Sequence, residues 1–220
     1  MITVHHLNNS RSQRILWLLE ELGLPYEVRR YQRDPKTMLA PAELRAVHPL
    51  GKSPVITDDG RTVAETGAIV EYLVGSHGTG LIPPAASEER LRYTFWLHFA
   101  EGSAMPPLVM SLVFQRVPQQ VPALLRPLAR RIGQGVRQRF LAPQIARQLD
   151  LMEHELGRGA WFAGDAFTAA DVMMSFPLEA AAARVGLGAR PRLLDWLDRI
   201  HARPAYRRAL EKGGPYAYAA

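Results

Sequence analysis

Pro49-Leu50-Gly51-Lys52-Ser53-Pro54-Val55-Ile56-Thr57-Asp58-Asp59-Gly60-Arg61-Thr62-Val63-Ala64-Glu65-Thr66-Gly67-Ala68-Ile69-Val70-Glu71-Tyr72-Leu73 decides the fold of the N-terminal half. Val55 and Ile56 are β-branched and apolar and read as a short strand. Asp59-Gly60 is a hairpin turn signal, because both central residues of a tight two-residue turn need positive φ, and Thr62-Val63-Ala64 is the return strand. Thr66 is then placed to cap a helix whose apolar face is Ala68, Ile69, Tyr72 and Leu73. Ser53-Pro54 precedes the first strand, and X-Pro bonds are the ones that adopt the cis form. A cis bond there turns the neighbouring backbone groups outward, towards an extended peptide. Glu65 and Thr66 fall at a helix N-terminus, where free N–H groups and the dipole favour a carboxylate.

Upstream, Ile2-Thr3-Val4-His5 reads as a first strand and Asn8-Asn9-Ser10 as a polar turn. A helix follows, with Ile15, Leu18, Leu19 and Leu22 on one face, Asn9 or Ser10 as its cap and Gly23 as its stop. Tyr26 to Tyr31 alternates as a second strand, so strand, helix and strand form a βαβ unit with a parallel pair. Pro41 to Val47 is a short helix with Pro in its first turn. The sum is βαβ-α-ββα over residues 1–77, an α/β thioredoxin-like domain with a mixed sheet.

Residues 78–86 are Gly/Pro-rich and read as a linker, and nothing in 87–220 patterns as a strand, which makes an all-α C-terminal domain. Ser87 caps a helix to Ala104 that Pro106-Pro107 breaks or kinks. Val117-Pro118 and Val121-Pro122 mark further breaks, and an Arg-rich helix from Pro122 to Gly157 bends near Gly133, Gly135 or Pro143. Thr168 and Asp171 have capping-box spacing, with Phe167 and Val172 as the hydrophobic staple. The apolar helix they start is the expected centre of the second domain, followed by helices over 191–202 and 205–212.

Composition narrows the function. The 220 residues are 47% hydrophobic and contain no apolar run of membrane-helix length, so no membrane association is expected. The N-terminus shows no basic segment followed by an apolar core, which points to the cytoplasm. Net charge is +6, carried by arginines rather than the three lysines, and reads chiefly as solvated helix faces. No motif or interleaved aromatics support nucleic-acid binding. The chain has no cysteine, which removes disulfides, thiolate nucleophiles and cysteine metal sites. His5-His6 lacks a third ligand in sequence reach, so no metal is expected. Any sulfur chemistry must come from a bound co-substrate.

Ser53-Pro54-Val55 followed by Glu65-Thr66 resembles the glutathione-binding half of the cytosolic glutathione transferases. Gly164 with Phe167-Thr168-Ala169-Ala170-Asp171 resembles the capping box of their helical domain. The segment from Asn9 to Glu21 is similar to fungal and bacterial members. No tyrosine lies in the first turn, so the resemblance is to serine- or asparagine-turn members rather than the tyrosine class.

The resemblance implies a glutathione S-transferase that uses glutathione as co-substrate, holds no tightly bound cofactor and acts on a small electrophile between the domains. It implies a homodimer. The thiolate-stabilising group then lies in the turn after the first strand, where Ser10 or Asn9 is the donor, with Arg11 and Ser12 beside it. A hydroxyl or amide donor suits the role because the thiolate is the nucleophile and a free thiol has pKa near 8.5. Lys52 would meet the glycyl carboxylate, the Val55 backbone the cysteinyl amide, Glu65 the γ-glutamyl amine and Thr66 its carboxylate, with Ser53 and Pro54 shaping the loop. Each has a plainer reading: Asn9 or Ser10 as a helix cap only, Glu65-Thr66 as an ordinary helix start, Lys52 as a solvated lysine. Met105, Met110 and Phe114 are candidates for an adaptable apolar wall, or simply for core. Glutathione-dependent disulfide or peroxide reduction on the same site, and a non-enzymatic carrier, are the competing functions.

Overall fold

The structure is a computed structural model that describes residues 1–78 and 80–219. Thr79, inside the expected linker, and Ala220, at the end of the expected second domain, lie outside the described residues.

Four strands form one mixed sheet in the order β2-β1-β3-β4: β1 (Ile2–Leu7), β2 (Tyr26–Tyr31), β3 (Val55–Asp58) and β4 (Arg61–Ala64). The parallel pair has Ile2 opposite Tyr26 and Leu7 opposite Tyr31; β3 runs antiparallel to β1, with Val55 opposite His5. Asp59 (φ 42°) and Gly60 (φ 84°) make the hairpin turn into β4, both with the positive φ that the Asp-Gly pair predicts. The Ser53–Pro54 bond is cis.

Helix α1 (Ser12–Leu22) crosses between β1 and β2 and ends at Gly23 (φ 65°), in the left-handed region that glycine enters without a Cβ clash. It is buried on nearly all sides. Ile15, Leu16, Leu18 and Leu19 are fully inaccessible, and so is Trp17. The reason is its position: one face packs on the sheet, the other on the second domain. Trp17 lies edge-on to Tyr206 and against Phe167, and its indole N–H donates to Glu21 at 2.8 Å. Burying such a ring contributes about 2–3 kcal/mol, so α1 is a main weld between the domains.

The short α2 (Glu43–Val47) and then α3 (Thr66–His77) complete the first domain. The second is helical: α4 (Glu88–Phe99), α5 (Met105–Gln120), α6 (Arg126–Val136), α7 (Ala142–Glu155), α8 (Ala169–Arg184), α9 (Pro191–His201) and α10 (Pro204–Gly213). Helix α8 is its centre, buried from Ala169 through Ala181. Asp171 organises its start. The carboxylate accepts from Thr168 N–H (3.0 Å), Thr168 Oγ1 (3.2 Å), Phe162 N–H (3.0 Å) and Trp196 Nε1–H (3.2 Å), so one side chain ties α8, its preceding loop and α9.

Several expectations need correction. The cap position of α1 is Arg11, not Asn9 or Ser10; Ser10 acts on the helix from outside, its Oγ accepting the Ser12 N–H at 3.2 Å. Thr66 is the first residue of α3 rather than its cap; the cap position is Glu65. The Pro41–Val47 helix starts two residues later, at Glu43. Pro106-Pro107 does not interrupt the helical run from Glu88 to Gln120. A π-helical turn over Ala100–Ala104 precedes it and the prolines enter the first turn of α5, where their missing N–H groups have no helical partner to lose. Pro118 lies inside α5, and the real break is at Val121. The long Arg-rich helix is two, joined by a π-helical turn over Arg137–Leu141.

Candidate active site

The turn after β1, the Ser53–Pro54 loop and the start of α3 converge on one cavity of about 200 Å³. Arg11, Lys52, Ser53, Pro54, Glu65 and Thr66 line it, six of the residues expected from sequence. His48 and Leu50 close one side, and Glu101 reaches in from the second domain.

Each wall has a local cause. Ser53 is fixed by its Oγ, which donates to the His5 carbonyl at 2.8 Å, so the loop is pinned to the end of β1. Glu65 takes φ 71°, a conformation that non-glycine residues adopt rarely and at a cost of order 1–3 kcal/mol. That twist ends β4 and aims the exposed Glu65 carboxylate and the start of α3 at the cavity. Thr66 is buried beneath it. The first N–H groups of the twelve-residue α3 have no carbonyl partners within the helix, and Thr66, the first residue of α3, lines the cavity.

Glu101 was not among the sequence candidates. It sits on the π-helical turn over Ala100–Ala104, and its carboxylate receives both Arg11 (Nε to Oε2 2.9 Å, to Oε1 3.0 Å) and Arg14. Arg14 is 1% exposed, and its guanidinium also donates to the Met173 carbonyl. Burial pushes the Glu101 carboxyl up, but the Arg14 and Arg11 guanidiniums outweigh burial and hold it below the usual range. No local sequence pattern marks Glu101: its partners are some ninety positions away in the chain, and an acidic residue in a helix reads as surface. The widened π turn is what turns it inward, a type of bulge frequent at functional sites.

Behind the cavity lies a buried polar chain. Ser10 Oγ is 2.7 Å from Ser12 Oγ, which is 2.9 Å from His6 Nδ1 and 3.3 Å from the Leu7 N–H. Burial, with nearby Arg30, pushes the His6 pKa down to about 4, so the ring is neutral near pH 7. In the tautomer with its proton on Nε2, the neutral ring accepts the Ser12 Oγ–H at Nδ1. The Ser10 hydroxyl proton then makes the 2.7 Å bond to Ser12 Oγ, and it reaches a ligand only by leaving that bond.

Four of the sequence candidates do not line this cavity: Ser10 and Ser12 lie buried in the polar chain just described, and Asn9 and Val55 fall elsewhere. Asn9 (φ 48°) points its amide away from this cavity: its Oδ1 accepts the Ala217 N–H at 2.8 Å, and it borders a separate cavity of about 230 Å³ with Gly213 and Gly214. Val55 does not present a free edge. Its side chain is 1% exposed, and β3 is an inner strand, so Val55 pairs opposite both His5 and Ala64. Ser53, one step outside the ladder, borders the cavity instead. Met105 is buried in the core and Met110 faces outward; neither borders this cavity, and Phe114 packs on the core edge.

Comparison with known proteins identifies the family. Family models for the N-terminal and C-terminal domains of glutathione S-transferase match residues 10–74 and 138–204. Glutathione S-transferase 3 of Schizosaccharomyces pombe is 39% identical over 215 residues, covering 96% of this chain and 88% of that protein. The chain belongs to the glutathione S-transferase family. Glutathione S-transferase 1 of Saccharomyces cerevisiae is 32% identical, over 96% of this chain and 95% of its own. Among solved structures, a glutathione S-transferase from Actinobacillus pleuropneumoniae superposes with a TM-score of 0.84 at 31% identity, covering 100% of this chain and 96% of that one. A family member from Pseudomonas fluorescens with two glutathione bound gives 0.74 at 27% identity, covering 96% and 92%. Among the described residues no group of side chains is arranged to hold a metal ion, and no helix is long and apolar enough to cross a membrane.

Proposed function

We propose that the chain is a glutathione transferase that binds glutathione in the cavity between Lys52, Glu65 and Arg11 and directs its sulfur at a small electrophile. The observation that carries this reading is charge complementarity. Glutathione has one ammonium and two carboxylates. The cavity offers the Glu65 carboxylate to the ammonium, Thr66 and the start of α3 to the γ-glutamyl carboxylate, and Lys52 to the glycyl carboxylate. The cysteinyl amide pairs with the backbone at Ser53, outside the last ladder position of β3.

The thiol then lies towards the turn after β1. Ser10 Oγ–H is the donor to the thiolate, and the Arg11 guanidinium adds positive potential. The thiol proton leaves to solvent; the thiolate attacks the electrophilic carbon, a C–S bond forms, and the displaced group departs with its electron pair. Each unit of thiol pKa depression corresponds to roughly 1.4 kcal/mol of preferential thiolate binding. No cysteine of the chain competes for the electrophile.

A second reading is favoured by the Pseudomonas fluorescens structure with two glutathione bound: reduction of a disulfide, in which one glutathione thiolate forms a mixed disulfide and the second releases it as oxidised glutathione. In either case we place the domain boundary in 78–86, with a homodimer in the cytoplasm as the working unit. Exposed Leu50, Leu91 and Phe95 support the association.

The test is calorimetry with glutathione, followed by turnover of an aromatic halide, a hydroperoxide and a mixed disulfide. Binding with halide turnover supports the transferase. Turnover of the disulfide alone favours the second reading. Absence of binding at millimolar glutathione overturns both.

A further inference from the structure

The positive charge of the chain is concentrated in one stretch. Residues 102–149 carry seven arginines and no aspartate, glutamate or lysine, so this stretch alone exceeds the net +6 of the whole chain. It folds as α5, the turn at Val121 and Pro122, a 3₁₀ turn over Ala123–Leu125, α6, the π-helical turn and the first half of α7. Helices α5 and α6 pack on each other as a hairpin. The contact is tightest at Gly133, where a Cβ would stand 2.7 Å from the Phe114 carbonyl oxygen. Phe114 and Gly133 are nearly equidistant in the chain from Leu124, which puts Leu124 at the tip.

The tip is apolar where contact with water favours polar side chains. Leu124 is 90% exposed, more than any other large hydrophobic among the described residues. Leu125, Leu128 and Ile132 are each half or more exposed and recur at helical spacing, so they form one stripe leading back from the tip. Gly133 is the one buried residue of α6, so packing uses a narrow line of the helix and leaves this stripe uncovered. Arg126, Arg130 and Arg131 follow Leu124 within two turns, about 10 Å back by helical rise. No acidic side chain among the described residues pairs with them. Leucines lead and arginines follow, at a spacing that matches the roughly 5–10 Å to which an interfacial helix sinks its apolar residues.

We propose that the α5–α6 tip docks on the surface of an anionic lipid bilayer, with Leu124, Leu125 and Leu128 entering the acyl boundary and Arg126, Arg130 and Arg131 meeting lipid phosphates. Charge complementarity selects this occupant. A second copy of the chain would set the same unpaired arginines against themselves across a two-fold contact. A nucleic acid would pair the arginines and leave three exposed leucines without an apolar partner. An anionic bilayer satisfies both sets of side chains. The lack of a spanning helix, on which the expectation of no membrane association rests, does not bear on surface docking. The tip shares no residue with the glutathione cavity, so docking goes beyond the proposed transferase activity and does not depend on it.

The test is flotation of the full chain with vesicles of phosphatidylcholine and with vesicles of equimolar phosphatidylcholine and phosphatidylglycerol. Binding to the anionic vesicles is at least tenfold tighter, and raising the salt weakens it. Leu124→Ser/Leu128→Ser lowers it at least tenfold with the melting temperature unchanged, since both side chains are exposed. Arg126→Gln/Arg130→Gln/Arg131→Gln lowers it about a hundredfold, at about fivefold per arginine. The absence of cysteine makes a label at Leu124→Cys unique. A solvent-sensitive fluorophore there shifts to the blue on anionic vesicles, and one at Leu39→Cys, exposed in the first domain, does not. Equal binding to both vesicles, no binding at millimolar lipid, an unshifted Leu124→Cys label, or wild-type binding in either multiple variant overturns the proposal. So does tighter, leucine-independent binding to duplex DNA, which would assign the tip to a nucleic acid. A change from dimer to monomer in Leu124→Ser/Leu128→Ser would assign it to a second copy and overturns the proposal as well.

Discussion

Arg11 Nε lies 2.9 Å from Glu101 Oε2, so the turn after β1 is tied by an ion pair to the π-helical turn of the second domain. The pair is shared with the buried Arg14, and the two arginines differ in what they depend on. Arg11 is about one-third exposed, whereas Arg14 has no access to water. Glu101→Gln should therefore destabilise the fold chiefly through Arg14, by about 3 kcal/mol, the cost of leaving a buried charge without its partner. Arg11→Gln should cost less than about 1 kcal/mol. Urea unfolding of the two variants checks the difference; equal losses would mean that the network does not hold the domains.

Asp171 accepts four hydrogen bonds from three separate segments. Asp171→Ala leaves the Phe162 N–H, Thr168 N–H and Trp196 indole without acceptors. Each orphaned buried donor costs about 1–3 kcal/mol, so the variant is expected to be largely unfolded at 37 °C. Thr168→Ala keeps the carboxylate and should cost only about 1 kcal/mol. Thermal melts of both variants test this ordering.

The legibility of the site in the sequence follows from the range of its interactions. The cis-capable Ser53-Pro54, the Asp59-Gly60 turn and a helix start at Glu65-Thr66 are set by local backbone preferences and were readable, whereas the Ser53 bond to the His5 carbonyl and the shift of the cap from Thr66 to Glu65 were not. The capping residues at Thr168 and Asp171 were readable for the same reason. Glu101 was not, because its role depends on Arg11 and Arg14 across the domain interface. Val55 misled because an apolar β-branched residue after a proline suits both an edge and an inner strand; only the pairing with both His5 and Ala64 separates them. The expected break at Pro106-Pro107 misled because prolines are tolerated in a first turn that follows a π-helical turn; Pro118 lies inside α5 two residues before its end, so it marks the approach of the break at Val121 rather than the break itself.

His6 makes stability depend on pH. Its ordinary value of 6.5 falls to about 4 in the fold, so between those values the unfolded chain binds a proton that the folded chain does not. Stability rises with pH through this window and is lost as pH falls through it, by about 3 kcal/mol for a shift of about 2.5 units. Buried His5 acts in the same direction. Asp171 acts in the opposite one: burial pushes it up to about 6, and its contribution favours the folded state as pH falls from 6 towards 3.8. The comparison must therefore be with His6→Gln, which retains a polar partner for Ser12 and cannot titrate. Denaturant midpoints between pH 6.5 and 4.5 should fall more steeply for the wild type than for the variant; parallel profiles would exclude His6 as the source.

Ser10 and Asn9 are separated by the direction in which their side chains point. Ser10→Ala should raise the thiol pKa of bound glutathione by about 1–2 units, since the thiolate loses its hydroxyl donor. Ser12→Ala should raise it by less, because Ser12 acts only through Ser10. Asn9→Ala should leave the thiol unchanged and loosen the C-terminal segment that Asn9 holds at Ala217. Thiolate absorbance against pH reads all three, and a large shift in the Asn9 variant alone would transfer the role to it.

Glu65 combines a rare backbone conformation with a proposed ligand contact, and the two can be pulled apart. Glu65→Gly removes the carboxylate but suits φ 71°, which glycine adopts without a Cβ clash. The gain at this φ, of order 1 kcal/mol, offsets the added entropy of glycine in the unfolded chain. Stability should thus be unchanged or slightly higher. Glutathione affinity should nevertheless fall at least tenfold, because the γ-glutamyl ammonium loses its counter-charge. Glu65→Gln keeps the side-chain shape and the backbone cost while removing the charge, and should show a similar affinity loss at wild-type stability. A drop in melting temperature matching the drop in affinity would assign Glu65 to the fold alone; retained affinity in both variants would remove it from the site.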